Sequence, residues 1–289
     1  MSSNKNTLKI RRFPIDEMKE HRIILVIGKR GTGKSVLLRD IMYRLRKRID
    51  IAFAMSPTLD TIKMFEECLP KSHVFDDYSL EQVQNIMKQM KALKEENKHR
   101  SGLLVLDDCM FDKKIMKSTE MREIHMNGRH FNLYFINSMQ YVMDMGPDLR
   151  SQVDYLFVLK ENVISNRQKI HKYFFGMFQD YDEFSLVMDK CTNNHECLVL
   201  DNTQPENDLS NCVYYYKANK DLESFRVGRS IYFKLDRYFG RTSEREKKKK
   251  RKAVSGSAEN APESPQHSSN IKLPDPVPVK KSIDVVEKE

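Results

Sequence analysis

Residues Gly28-Lys29-Arg30-Gly31-Thr32-Gly33-Lys34-Ser35 follow the spacing glycine, four residues, glycine, lysine, serine. Glycines at those places let the backbone wrap until successive amides point at phosphate oxygens. A helix that begins in the loop adds the positive end of its dipole. Lys34 then reaches the β and γ phosphates as a point charge, and the Ser35 hydroxyl takes one coordination position on magnesium. The alternative is an ordinary glycine-rich connection. The flanks argue for the phosphate loop, because an apolar run precedes it and an amphipathic segment follows. ATP and Mg2+ are the expected ligands.

Such a loop needs an acidic element, and Leu103-Leu104-Val105-Leu106-Asp107-Asp108 supplies an apolar strand ending in two carboxylates. Asp107 is expected to bind the hydrated metal, and Asp108 to orient or deprotonate the attacking water. Paired acids at a strand end can instead be a helix cap and a solvated neighbour. A third element is Phe131 to Gln140, where polar residues follow an apolar strand. Ligands of open parallel sheets bind beyond the carboxyl ends of the strands, so Asn137, Ser138 and Gln140 are expected near the γ-phosphate, with an ordinary polar loop as the alternative. Arg129 and Arg150 flank this strand, and either could be a finger that stabilises transition-state charge across a subunit boundary. A surface ion pair is the commoner fate of a single arginine. Arg129 is the preferred candidate.

Cys191, His195 and Cys197 lie within seven residues and are of zinc-ligating types. They lack a fourth ligand nearby and the spacing of a zinc ribbon or finger, so a buried thiol pair at a strand edge is the favoured reading. The chain has five cysteines, an odd number in a sequence long enough to fold without staples, which fits thiols in a reducing compartment.

The elements that must position these residues alternate. Strands are expected at Arg22 to Gly28, Ile51 to Met55, His73 to Phe75, Leu103 to Leu106, Phe131 to Ile136 and Val153 to Leu159. Helices are expected at Lys34 to Arg48, Thr58 to Cys68, Leu80 to Lys98 and Lys113 to Met126. Strands spaced by helices of this length predict an α/β fold, a parallel sheet covered on both faces. Cys197 to Leu200, Cys212 to Tyr216 and Ser230 to Leu235 read as further strands. The organisation is an arm over residues 1–20, a phosphate-loop domain over 21–240 and a tail over 241–289.

The chain has 289 residues, a net charge of +9 and 39% hydrophobic residues. Its longest aliphatic run, Ile23 to Ile27, falls far short of the roughly 18 to 20 residues a membrane-spanning helix needs, and the first residues lack the apolar core of a secretory signal. A cytosolic type of compartment is expected. The tail carries 12 Lys and Arg against 8 Asp and Glu, concentrated in residues 241–252, so the rest of the chain is only mildly basic. From residue 243 onward the composition predicts disorder. The basic run, residues 245–252 above all, is open to three readings: a nuclear address, a nonspecific DNA contact or a solubilising tail.

Together, GKRGTGKS after a strand, LLVLDDC, NGRHFNLYFINSMQ and DLRSQVDYLFVLKE resemble the packaging ATPases of nucleocytoplasmic large DNA viruses, relatives of the FtsK and HerA translocases. The resemblance spans about residues 20–200. It implies a sheet of the additional-strand type, in which the Gln140 strand lies between the phosphate-loop strand and the Asp107 strand. It also implies ATP hydrolysis coupled to translocation of double-stranded DNA by a homo-oligomeric ring, with a hexamer suspected. Capsid or membrane-associated assembly proteins are the implied partners, and the assembly site in the host cytoplasm and the virion the implied locations. One departure stands out: cellular relatives usually carry Asp-Glu where this chain has Asp107-Asp108. Two rivals remain, a phosphate-loop kinase of another type and a nucleotide-dependent assembly switch.

Overall fold

The computed structural model describes residues 8–96, 98–109, 113–141, 145–205, 208–239 and 286–288. Their strands form one sheet. In chain order these are β1 (Leu8–Arg12), β2 (Ile23–Ile27), β3 (Ile51–Met55), β4 (Val74–Phe75), β5 (Gly102–Asp107), β6 (Leu133–Met139), β7 (Tyr155–Val158), β8 (Glu196–Asp201), β9 (Val213–Lys217) and β10 (Val286–Lys288). The spatial order is β10-β1-β9-β8-β7-β2-β6-β5-β3-β4. Only β8 runs antiparallel to its neighbours. As the resemblance implied, β6 is inserted between β2 and β5.

β2, β3 and β7 are buried along their whole length, as expected of strands covered on both faces. Alternation divides their side chains between two cores. Ile23, Leu25, Ile27, Leu104 and Leu106 face one layer, and Ile24, Val26, Leu103 and Val105 face the other. Helices α1 (Lys34–Leu45) and α2 (Leu59–Cys68) cover the second face through Leu37, Leu38, Ile41 and Phe65. The first face is covered by α3 (Leu80–Glu95), α5 (Thr119–Asn127), α7 (Ile164–Phe174) and α8 (Tyr181–Cys191). Shorter helices are α4 (Lys113–Met116), α6 (Pro147–Arg150) and α9 (Leu209–Cys212). α7 and α8 are not among the expected helices; each spans only 11 residues, too short a window for a strong periodic signal.

Three expectations are revised. The helix expected over Lys113 to Met126 is two, because the Ser118 side chain accepts from the Met121 amide and starts a new helix there. The strand expected at Ser230 to Leu235 is a helix over residues 230–239. Its run of Ile231, Tyr232 and Phe233 has strand-like composition, but Tyr232 and Asp236, one turn apart, act on the same neighbour. Tyr232 packs on His73 at 5.4 Å between ring centroids, and the Asp236 carboxylate accepts from the Lys71 and Ser72 amides. Finally, residues assigned to an arm are packed into the sheet: β1 pairs with β9, and Phe13, Ile15 and Met18 are buried. The tail, including its basic run, lies outside the described residues apart from β10.

Candidate nucleotide site

α1 begins where the phosphate loop ends. Its N-cap is Gly33, at φ +103°, and no side chain caps the first turn. α3, α5 and α8 are capped by Ser79, Ser118 and Asp180, whereas α2 and α7 share the uncapped first turn of α1. The amides of α1 are therefore left to an external acceptor, which suits an anion. Gly28 is required for a different reason: a methyl there would lie 2.8 Å from Leu159 Cδ1 and Thr32 Oγ1. The loop is also tied down at Lys29, whose ammonium lies 2.7 Å from Glu161. Arg30 and Thr32 lie on its rim, and the Thr32 hydroxyl donates to the Lys29 carbonyl at 2.7 Å.

The register of β5 and β6 sets the acidic side. Asp107 lies opposite Ser138, and the Ser138 hydroxyl donates to Asp107 Oδ1 at 2.7 Å. Ser56 Oγ donates to the other carboxylate oxygen at 3.3 Å. Burial raises the Asp107 carboxyl above its ordinary range. The Ser138 hydroxyl opposes this, Asp108 adds to it, and Lys34 and the Thr61 hydroxyl act weakly downward. Asp108 leaves the strand at φ +52°. Its carboxylate meets the Lys34 ammonium at 2.5 Å and accepts from Gln140 Nε2 at 3.1 Å.

The structure thus brings Lys34, Asp107, Asp108, Ser138 and Gln140 into one cluster beside Ser35. A cleft of about 1290 Å³ opens over it, lined by Lys34, Ser35, Asp107 and Asp108 among others. The donor set fits a hard divalent cation. Ser35 and Asp107 offer oxygen donors at one mouth, and a buried carboxylate hydrogen-bonded to neutral hydroxyls would gain from such a charge.

Other candidates lie elsewhere. Asn137 sits within β6 rather than beyond it, and alternation turns it to the opposite face, where its amide nitrogen is 4.0 Å from Met116 Sδ. Arg129 is at the amino end of β6 and pairs with Asp154 at 2.8 Å. Arg150 donates to the Met145 carbonyl at 2.7 Å, and its guanidinium lies 4.0 Å from the Tyr173 ring centroid. Neither arginine reaches the phosphate loop of its own chain. Cys191 and Cys197 belong to different cores on opposite faces of the sheet, and among the described residues no group of metal-ligating side chains gathers around them. Glu161, Ser56 and Thr61 escaped the sequence reading. For Glu161 the signal was there, an acid just past the strand that ends at Leu159.

Residues 11–213 match the family described as Poxvirus A32 protein. The chain belongs to that family. Relatives of the A32-family chain occur in other large DNA viruses. The uncharacterized protein 088R of Invertebrate iridescent virus 3 is 30% identical over 208 residues, 71% of this chain and 80% of that one. The uncharacterized protein L437 of Acanthamoeba polyphaga mimivirus is 32% identical over 232 residues, 77% and 81% of the two chains. Among solved structures, the genome packaging NTPase B204 of Sulfolobus turreted icosahedral virus 2, in complex with AMPPCP, superposes with a TM-score of 0.51 at 20% identity. The match covers 70% of the A32-family chain and all of B204. At that identity the likeness establishes a shared fold. Among the described residues no helix is long and apolar enough to cross a membrane.

Proposed function

We propose that this A32-family protein is an ATP-hydrolysing motor that drives double-stranded viral DNA into a capsid, working as a homo-oligomeric ring, hexameric in our reading. The observation that carries the proposal is the insertion of β6 between β2 and β5, which sets Ser138 and Gln140 against the carboxylates facing Lys34. The packaging role of B204, which has this fold, and the viral origin of the relatives support the coupling to DNA.

The chemistry follows from the partners each residue holds. Without nucleotide, Lys34 is neutralised by Asp108. A triphosphate competes for Lys34 and for the open amides of α1, and so releases the Asp108 carboxylate. Ser35 and Asp107 would hold magnesium, which would supply positive charge to offset that developing on the phosphates. Asp108, still held by Gln140, then accepts a hydrogen bond from the attacking water and takes its proton. Gln140 can also reach the γ-phosphate, so its hydrogen bonds report whether that group is present. An arginine acting on this phosphate comes from the neighbouring subunit, and Arg129, 40% exposed, is the candidate. The protein acts at the viral assembly site in the host cytoplasm, alongside capsid or membrane-associated assembly proteins.

The test is steady-state ATP hydrolysis with and without double-stranded DNA, at low and higher salt, with Lys34→Ala as control. Phosphate contacts weaken steeply with ionic strength, so stimulation should fade as salt rises. Turnover raised several-fold by DNA and abolished by the control supports the motor. Hydrolysis indifferent to DNA at every salt overturns it in favour of an assembly switch, and phosphate transfer to an acceptor in favour of a kinase.

A further inference from the structure

The two edges of the sheet are finished differently. β4 closes one, and at the other β1 is covered by β10. β10 joins β1 in parallel, with Leu8 opposite Val286, Lys9 opposite Glu287 and Ile10 opposite Lys288. Without β10 the outer amides and carbonyls of β1 would form an open edge, which templates pairing with an extended segment. The segment that pairs there lies outside the family match over residues 11–213, so the contact is an addition to the shared domain.

Charge suits the two strands to each other. β1 reads Leu8-Lys9-Ile10-Arg11-Arg12, while the segment around β10 reads Asp284-Val285-Val286-Glu287-Lys288-Glu289. A basic strand meets an acidic one, and Lys9 and Glu287 are directly opposed. The basic run at residues 241–252 would be repelled from the same edge.

The chain comes to this edge from the far side of the sheet. The helix over residues 230–239 sits against His73 and the Lys71 and Ser72 amides, just ahead of β4. Ten strands at a spacing of about 4.8 Å put β4 and β10 about 43 Å apart. Residues 240–285 join these two places, and a stretch of that length extends to at most about 150 Å. The connection therefore reaches a β1 edge on its own chain or on another copy. The helix it starts from exposes Ile231, Leu235, Tyr238 and Phe239, which helical spacing sets along one side. An exposed apolar stripe of this kind marks a protein contact.

We infer that β10 is donated between copies, residues 286–288 of one chain completing the β1 edge of the next. In a closed ring each contact joins two different sides of the molecule. Here the β4 side of one copy, with its apolar stripe, faces the β1 side of its neighbour. The ladder is the same whether a chain pairs with itself or with its neighbour, so the shorter path decides. Every copy is then both donor and acceptor. The inference rests on the reading of the protein as a homo-oligomeric ring, and it adds a clasp to that ring.

The experiment uses the full chain with cysteines at the opposed pair, since the five native cysteines are buried. Chains carrying Lys9→Cys and chains carrying Glu287→Cys are co-expressed, assembled with magnesium ATP and double-stranded DNA, and treated with a short bismaleimide. Light scattering gives the mass of the assembly in parallel. Exchange predicts covalent dimers in the mixture, and a ladder of covalent multimers from the chain that carries both substitutions. Val286→Pro, which disrupts a regular ladder, should raise the concentration at which the oligomer dissociates about tenfold. An intact oligomer whose cross-links stay within single chains, or that forms none, overturns the exchange and leaves the ring standing. Wild-type dissociation in Val286→Pro overturns the clasp. Protein that stays monomeric overturns the ring reading and the exchange with it.

Discussion

Two buried carboxylates mark opposite ends of this sheet. Asp107 closes β5 at the carboxyl ends of the central strands, and Asp154 precedes β7 at their amino ends. Burial raises the carboxyl of both. They differ in what answers the charge. Asp154 accepts from the Ile23 amide at 2.9 Å, and the guanidinium groups of Arg129 and Arg22 lie 2.8 and 3.6 Å away. Asp107 is hydrogen-bonded to hydroxyls, and its neighbour Asp108 is itself negative. A carboxylate already answered by resident cations holds the fold together. One that lacks such cations, and opens on a cleft, is set up for a charge arriving from outside.

The comparison breaks most visibly at Lys34, the cation nearest the carboxyl-end cluster. Lys34→Ala should reduce hydrolysis by at least about a thousandfold, read as steady-state phosphate release, because the loop loses its point charge on the reacting phosphates. Asp108→Asn comes next. It keeps the shape and the Gln140 hydrogen bond but cannot take a proton, so kcat should fall about 100- to 1,000-fold while ATP still binds. Full turnover in that variant would remove Asp108 from the mechanism.

At the amino end the expected loss is in stability. Asp154→Ala leaves the buried Ile23 amide without its acceptor and two arginines without their partner. Urea unfolding should show a loss of about 2 to 4 kcal/mol, with turnover per folded molecule unchanged. Asp154→Asn keeps an acceptor for the Ile23 amide and should lose less.

These sites were unequally legible in the sequence. The phosphate loop and the Asp-Asp pair are local motifs, and apolar runs such as Ile51 to Met55 permit few alternatives to buried strands, so β3 falls where the composition puts it. Asp154 carries no such signal, because its partners are 25 and 132 residues away in sequence and meet only through strand order. Ser138 was found but set beyond the strand. Its pairing opposite Asp107 depends on the register of β5 and β6, which no short-range pattern encodes. Cys191 and Cys197 read as a thiol pair at a strand edge yet face different cores, because residue types within seven positions say nothing about which face of a sheet each side chain takes.

Asp107 sharpens the contrast through pH. Its folded pKa lies above the ordinary carboxylate value, so the folded state binds this proton more tightly than the unfolded chain does. The stability that proton contributes is full below the unfolded value and is lost as pH rises through the folded one. Asp107→Asn should therefore raise the melting temperature at neutral pH without magnesium, and the gain should vanish below the unfolded carboxylate range. Magnesium should stabilise wild type and not the variant. Equal stabilisation of both would place the metal elsewhere.

The smallest effect belongs to Arg129. It is 40% exposed, so solvent screens its pairing with Asp154, and Arg129→Ala should cost under about 1 kcal/mol in urea unfolding. It stands at the amino end of β6, so ATP affinity of the isolated chain should not change. The discriminating quantity is turnover in the assembled oligomer. If Arg129 stabilises charge on a neighbour's phosphate, kcat falls there while single-chain affinity stays constant. A variant ring with wild-type kcat would leave Arg129 as a partner of Asp154 alone, and the comparison of the two ends would then be complete: open charge at one, closed charge at the other.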